Sequence, residues 1–271
     1  MTKTQLKEIA KNIRIDIVKS LVAAGSGHLG GSLGLADVFT QLYFKTLRHR
    51  PNEPNWSERD RLILSIGHVA PVLYATLAHS GYFPLEELLT LRKLNSRLQG
   101  HPGKNHGLPG IEISSGSLGQ GLSVAVGMAL AAQIDKKEYR VFCVLGDGEL
   151  QEGSCWEAAM SASHYQMNRL IAIIDRNYCQ IDGNTESVME LEPLADKFKA
   201  FGWNVIQCNG NNFEELDIAF ETATHSLSKP SVIIANTLMG KGVKNIEGNY
   251  QWHGKAPSTD EAADFIHQIQ S

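Results

Sequence analysis

The fold of this chain is decided by the stretch VFCVLGDG at residues 141–148. A second stretch of the same kind, LIAIIDRN, occupies residues 170–177. Each is a short apolar run, rich in β-branched residues, that passes directly into polar side chains, which is typical of a buried strand in a parallel sheet. Because ligands bind outside the carboxyl ends of such strands, we expect Asp147 and Asn177 to point into one crevice.

The residue types at this predicted crevice favour a metal-bound phosphate. The Asp147 carboxylate, the Asn177 amide oxygen and a nearby backbone carbonyl form a partial oxygen set for Mg²⁺ or Ca²⁺, with positions left for phosphate oxygens. Gly146 and Gly148 allow close backbone approach, and a helix predicted to begin near residues 152–156 offers its amide groups. That helix contributes only about 0.3–1 kcal/mol toward an anion, so a cation is expected to dominate. An ordinary Asp-Gly turn beside a loop amide is the alternative.

Further strand-like runs lie at residues 62–65, 204–208 and 232–235, with helix-like stretches between most of them. This alternation predicts an α/β fold with a parallel sheet of five or more strands and helices on both faces. The chain has 271 residues, of which 42% are hydrophobic, and no internal repeat or linker. We therefore expect one domain spanning residues 1–271.

One predicted helix, at residues 119–133, consists largely of Ala, Gly, Ser, Val and Leu. Side chains this small on every side indicate that another backbone lies close to the helix. An interface helix and an internal core helix both fit this pattern.

The overall composition excludes several functional classes. The net charge is −4, and the 25 Lys and Arg residues form no basic run, which argues against nucleic acid or an acidic membrane surface as a partner. No apolar stretch approaches the roughly 20 residues of a membrane span, and the first residues lack a signal-peptide pattern, so we expect a cytoplasmic protein. The four cysteines include no CxxC pair, which disfavours a zinc site or a disulfide framework.

Gly146-Asp147-Gly148, followed about thirty residues later by Asn177, resembles the thiamine diphosphate motif. Other short motifs resemble those of the transketolase family and occur in the same order. These motifs are SGHLG at 26–30, GH at 67–68, GHP at 100–102, GSLGQG at 116–121, ELQEG at 149–153, IDG at 181–183 and WHG at 252–254. The resemblance extends from near residue 10 to the end of the sequence.

The resemblance implies a thiamine diphosphate cofactor with Mg²⁺, or Ca²⁺ or Mn²⁺, and a set of site residues. It implies metal ligation by the side chains of Asp147 and Asn177 and by the backbone carbonyl of Cys179, with Ile181 against the thiazolium ring. Residues implied to contact the cofactor are His68, Gly116, Ser117, Leu118, Gly146, Asp147, Gly148, Glu149, Asn177, Ile181 and His253. Residues implied to face the sugar are His28, His101 and His253.

The same resemblance implies transfer of a two-carbon unit from a ketose phosphate to an aldose phosphate. Imidazoles suit this reaction, because an ordinary pKa near 6.5 lets them move protons on and off hydroxyls. Glu152 matches a carboxylate that meets the activating glutamate of a second domain. The alternative is a purely structural glutamate, since the helix macrodipole favours a negative charge in the first turn. That second, pyrimidine-binding domain has no counterpart in this sequence. We therefore expect a C-terminal partner subunit, within a heterotetramer that holds two copies of each chain.

Two departures and three alternatives accompany this prediction. Ile66 stands where many relatives have Asn, and Met239 stands where some have a basic residue. Both differences bear on which ketose donor the enzyme prefers. The alternatives are a deoxyxylulose phosphate synthase fragment, the α subunit of a 2-oxo acid dehydrogenase, and a non-catalytic assembly subunit. The ELQE stretch at 149–152 counts against the first, SGH at 26–28 against the second, and the retained histidines and metal motif against the third.

Overall fold

The computed structural model describes residues 1–226 and 228–271. Its strands are β1 (Arg61–Leu64), β2 (Val141–Gly146), β3 (Leu170–Arg176), β4 (Cys179–Gln180), β5 (Gly183–Asn184), β6 (Asn204–Asn209) and β7 (Ser231–Asn236). Five of them form one parallel sheet in the order β1-β2-β3-β7-β6, and β4 pairs with β5 in a small antiparallel hairpin. The predicted strands are confirmed, with their ends shifted by one or two residues.

Ten α-helices surround the sheet. They are α1 (Lys3–Ala24), α2 (Gly30–Gly34), α3 (Ala36–Gln41), α4 (Ala70–His79), α5 (Gly121–Ile134), α6 (Gly153–His164), α7 (Thr185–Val188), α8 (Leu194–Ala200), α9 (Phe213–Thr224) and α10 (Thr259–Gln270) among the described residues. The first helix begins at a capping box between Thr2 and Gln5 and ends at Gly25, whose φ of 66° closes the last turn.

The two faces of the sheet are buried against different helices. Along β2, Phe142 and Val144 pack into the cluster that includes α1, α3, α4, α9 and α10. Their neighbours Cys143 and Leu145 point the other way, into the cluster with α5, α6 and α8. This period-two alternation confirms the prediction of helices on both faces. With both faces covered, the strand ends are left as the place where polar side chains gather.

Helix α5 begins two residues later than predicted, at Gly121. The reason is Gly119, which has a left-handed φ of 81° and donates its N–H to Glu149 instead of entering the helix. One side of this helix packs in the core, and the other side is exposed, so the core interpretation holds for the inner side and the interface interpretation stays a prediction for the outer side. Leu122 and Ala125 are buried against the sheet, whereas Val124 and Gly127 face outward.

The four cysteines are free and buried, as the absence of a disulfide pattern predicts. Within residues 1–226 and 228–271, no helix is long and apolar enough to cross a membrane.

Candidate active site

A cavity of about 220 Å³ opens at the carboxyl ends of β2 and β3. Gly146 lies opposite Asp175 in the parallel register, and the Asp147 N–H donates to the Asp175 carbonyl at 3.2 Å. Asp147 and Asn177 both line this cavity. The structure thus brings them together at one crevice, as the strand pattern predicts.

Most of the predicted site residues line the same cavity. These are His68, Leu118, Gly146, Asp147, Gly148, Glu149, Glu152, Asn177, Cys179, Ile181 and His253. The other four, His28, His101, Gly116 and Ser117, lie outside its immediate lining.

The Asp147 carboxylate is 2% exposed, and both of its oxygens accept hydrogen bonds. Its Oδ2 accepts from Arg176 Nη1 at 3.1 Å and from the Tyr178 N–H at 2.7 Å, and its Oδ1 accepts from the Gly148 N–H at 2.8 Å. Burial raises the pKa of Asp147 to about 6, against the lowering effect of Arg176. A carboxylate so poorly solvated gains from any further cation that enters the cavity.

Asn177 is held in a defined orientation by its neighbours. Its Nδ2 donates to Asp175 Oδ2 at 2.8 Å, and its Oδ1 accepts from the Cys179 N–H at 2.8 Å. Asp175 also accepts from the Thr237 hydroxyl, and burial raises the pKa of Asp175 to about 7. The sequence prediction did not assign Asp175 a role, although its place just before Asn177 on the strand was the available signal.

The buried Glu149 carboxylate accepts three hydrogen bonds from segments around the cavity. Its Oε1 accepts from the Ser65 hydroxyl and from the Gly119 N–H at 2.9 Å, and its Oε2 accepts from the Gly146 N–H at 3.2 Å. Burial raises its pKa. Beyond lining the cavity, Glu149 therefore joins the end of β1 to the loop before α5. Glu152, in contrast, is exposed at the N-cap position of α6 and makes no capping hydrogen bond.

Three imidazoles form a compact group, of which His68 and His253 line the cavity. The ring centroids of His28 and His68 lie 4.9 Å apart, those of His68 and His253 5.1 Å, and those of His28 and His253 5.7 Å. Burial, followed by repulsion from His253, lowers the pKa of His28 to about 4 and that of His68 to about 3. Burial also lowers the pKa of His253. These rings are therefore neutral at neutral pH.

Two nitrogen atoms of this group have no protein partner. The Nδ1 atoms of His28 and His253 are buried and lack a hydrogen bond within the described part of the chain. Buried polar atoms are nearly always bonded, so unbonded ones next to a cavity are positions where a ligand or an ordered water can bind. This feature is invisible in the sequence.

His101 packs on a glycine at the edge of the group. A Cβ added to Gly116, whose φ is 138°, would lie 2.9 Å from the His101 ring. Gly67 must also lack a side chain, because its Cβ would lie 2.8 Å from the Gly116 backbone. The segments that carry His68, His101 and Gly116 thus pack closely because Gly67 and Gly116 have no side chain. Next to them, Ser117 and Leu118 are exposed.

Arg92 lies beside the imidazole group and is not among the residues that the sequence predicted for the site. Its backbone has a left-handed φ of 60°, and its guanidinium lies against Gly100, where a Cβ would be 2.7 Å from Arg92 Cζ. Its charge helps to lower the pKa values of His28 and His101, in each case after burial. A single arginine in a loop carries no sequence signal for this placement.

The donors around the cavity do not make a complete metal site by themselves. No group of three or more His, Cys, Asp or Glu side chains is arranged to hold a metal among the residues that the structure describes. At the strand ends the cavity instead offers the Asp147 and Asp175 carboxylates, the Asn177 amide and the backbone at Cys179. Such a set suits a hard cation only when a ligand adds further oxygens.

Comparisons with known proteins agree with this geometry. The family described as transketolase, thiamine diphosphate binding domain, matches residues 5–269. One subunit of the apulose-4-phosphate transketolase from Phocaeicola vulgatus is 42% identical over 253 residues, covering 93% of this chain and 89% of that protein. The 6-deoxy-6-sulfo-D-fructose transketolase subunit SqwG from Clostridium sp. is 45% identical over 248 residues, covering 92% and 90%.

Full-length transketolases match over less than half of their length. Human transketolase is 40% identical, with 98% of this chain aligned to 42% of that protein. The crystal structure of transketolase from Campylobacter jejuni superposes with a TM-score of 0.93 at 35% identity, covering all of this chain and 43% of that one. The fold, the strand-end residues and these similarities lead to one conclusion: the chain belongs to the transketolase family and corresponds to its thiamine diphosphate-binding domain.

Proposed function

We propose that this chain is the N-terminal subunit of a two-subunit transketolase, which transfers a two-carbon ketol unit from a ketose phosphate to an aldose phosphate. The observation that carries this proposal is the meeting of Asp147 and Asn177 with the imidazole group at one cavity. Both subunit relatives match this chain over about nine tenths of their length. We further propose that residues 1–271 act as one domain, because both buried clusters share the same sheet.

The cavity residues fit thiamine diphosphate and a divalent cation. Asp147, Asn177 and the Cys179 carbonyl would hold Mg²⁺, or Ca²⁺ or Mn²⁺, and diphosphate oxygens would complete the coordination. Glycine at position 148 keeps this edge of the cavity free of a side chain, since an added Cβ would lie 3.2 Å from Gln180 Cβ. When bound, the cofactor supplies the electron sink for cleavage of the carbon–carbon bond beside a ketose carbonyl.

The histidines would orient the sugar and move its protons. His28, His68 and His253 are neutral near pH 7, so each ring can accept a proton at one nitrogen and donate at the other. The unbonded Nδ1 atoms of His28 and His253 are available to cofactor or substrate atoms. His101, at the exposed edge of the group, is placed to serve as the acid or base nearest the entrance.

The partner would be a second chain that carries the pyrimidine-binding domain. At the rim of the cavity, Ile181 is 59% exposed and Leu118 37%, which leaves apolar surface for another chain to cover. Glu152 is exposed at the same rim and lines the cavity, where it would meet the partner's activating glutamate.

We place the enzyme in the cytoplasm.

We propose a heterotetramer in which two copies of this chain meet through α5. Its outward face carries Val124, 37% exposed, and Gly127, while Met160 of α6 is 58% exposed. A Cβ at Gly127 would meet nothing within 4 Å, so Gly127→Arg should fold and still obstruct a second copy. Light scattering on the mixed subunits should then report half the wild-type mass. An unchanged mass would exclude this interface.

The catalytic proposal is tested on the separate subunits and on their mixture. The isolated chain should show no ketol transfer with any sugar phosphate, and the mixture with a co-expressed pyrimidine-domain subunit should be active and dependent on thiamine diphosphate. The reason is that oriented groups lower a barrier by about 7–11 kcal/mol, and part of this constellation would lie on the other subunit. Equal turnover by the isolated chain and the mixture would contradict the split-enzyme proposal.

A further inference from the structure

Arg176 is the least solvent-exposed charged side chain next to the cavity, at 1% exposure. Its Nη1 donates to Asp147 Oδ2 at 3.1 Å and to Thr185 Oγ1 at 2.9 Å. Its Nη2 donates to Glu186 Oε1 at 2.6 Å and to Glu192 Oε1 at 2.9 Å. One guanidinium thus binds four acceptors, of which only Asp147 lines the cavity.

The other three acceptors belong to one surface segment, residues 185–192, which we call the strap. Within the strap, the Leu191 and Glu192 N–H groups donate to the Glu186 carboxylate, so the segment is closed on itself. Arg176 also lies against the Tyr178 ring at 3.9 Å. The Arg176 side chain therefore links the strap to the Asp147 carboxylate at the cavity.

The charges of this network suit a divalent cation. Arg176 brings one positive charge, and Asp147, Glu186 and Glu192 bring three negative charges. The formal net charge of the network is therefore −2, so it stays favourable to a cation although an arginine is bonded to Asp147. Without the two strap glutamates, Arg176 would compete with the cation for Asp147 with no compensation.

We propose that Arg176 is a positioning residue for the cation site, holding the Asp147 carboxylate through Oδ2 while the strap glutamates balance its charge. This inference rests on the proposed function. Residues that fix a metal ligand from behind typically contribute 10–100-fold to metal affinity. A lysine cannot replace this arginine, because its single ammonium cannot reach four acceptors in the geometry of a planar fork.

The test compares Arg176→Lys with a matched control, Arg14→Lys. Arg14 is also buried, and its two Nη atoms bind both oxygens of Asp37 at 3.1 and 2.6 Å, in contacts that do not involve the cavity. Calorimetry on the assembled complex at saturating thiamine diphosphate should show Mg²⁺ bound about 10–100-fold more weakly by Arg176→Lys. Arg14→Lys should lower the thermal midpoint without metal and leave the Mg²⁺ affinity unchanged.

A second variant, Glu186→Gln with Glu192→Gln, keeps Arg176 in place. Both glutamate side chains are partly exposed, at 27% and 46%, so the variant should fold. It should bind Mg²⁺ about tenfold more weakly, because the network loses its negative charge. Wild-type Mg²⁺ affinity in this variant or in Arg176→Lys would overturn the inference, whereas a wild-type complex that binds neither Mg²⁺ nor thiamine diphosphate would overturn the proposed function.

Discussion

The two walls of the cavity differ in how their polar groups are bonded. On the strand-end wall, formed by Asp147, Asp175 and Asn177, every carboxylate and amide oxygen accepts a hydrogen bond from the chain itself. These groups sit at the ends of two paired strands. Their geometry is therefore fixed before any ligand arrives.

On the imidazole wall, formed by His28, His68, His101 and His253, the bonding is incomplete. Two Nδ1 atoms are buried without a partner in the described residues. The four rings come from separate segments of the chain, and His68 and His253 line the cavity. The comparison indicates a division of roles. In the proposed function the strand-end wall would hold the ligand and the imidazole wall would act on it, so substitutions on the two walls should change different measurements.

The largest effect is expected for His101→Ala on turnover. Loss of a general acid or base should lower kcat by about 10²–10⁴-fold. Because His101 lies outside the lining of the cavity at the strand ends, the affinity for thiamine diphosphate should change little. Steady-state kinetics and calorimetry on the assembled complex measure the two quantities separately.

The matched control is His106→Ala, which removes an exposed histidine from the same loop region and should retain wild-type turnover. Near wild-type kcat in His101→Ala would assign that ring to structure. A parallel loss of cofactor affinity would remove the distinction between the walls.

The next effect is expected for Asp147→Asn on cofactor binding. The isostere removes a charge from the proposed cation site, so the affinity for thiamine diphosphate in Mg²⁺ should fall by about 10²-fold or more. Arg176 keeps its contacts with the strap glutamates, which should preserve the fold. Asp135→Asn, at the exposed end of α5, is the control. Cofactor binding equal to wild type would show that the strand-end wall does not hold the cation.

The strand-end wall was largely predictable from sequence, and the imidazole wall was not. Short apolar runs that end in polar residues are local signals, and parallel pairing then places Asp147 beside Asn177. In contrast, His28 and His253 come from opposite ends of the sequence, so only the family resemblance indicated that they meet. The contacts of Arg176 depend on how the strap folds back, which no local pattern encodes.

A smaller effect is expected for Thr237→Val on stability. The Thr237 hydroxyl donates to Asp175 Oδ1, and its loss leaves a buried acceptor with one partner fewer. The free energy of unfolding should fall by about 1–3 kcal/mol in urea titrations. Thr222→Val, at an exposed position of α9, should stay within about 0.5 kcal/mol of wild type. If Thr237→Val were equally neutral, hydrogen bonding would not be what orders the strand-end wall.

The last effect concerns how stability depends on pH in His68→Gln. The pKa of His68 is about 3 in the folded chain and 6.5 in its ordinary state. Between these values the unfolded chain binds more protons, so this ring makes the folded state less stable as pH falls below 6.5, with a slope of up to about 1.4 kcal/mol per pH unit.

The opposite wall opposes this trend. Burial raises the pKa of Asp147 from 3.8 to about 6 and that of Asp175 from 3.8 to about 7. Between 3.8 and the raised pKa of each carboxyl, the folded chain binds more protons than the unfolded chain and gains stability as pH falls. Subtracting the His68→Gln profile from the wild-type profile cancels the carboxylates and leaves the imidazole contribution. Urea unfolding of the chain without cofactor, from pH 7 to pH 4.5, should show the wild-type advantage shrinking as pH falls. A difference that is constant with pH would mean that His68 is not held neutral by burial, and the imidazole wall would then be as well solvated as a surface loop.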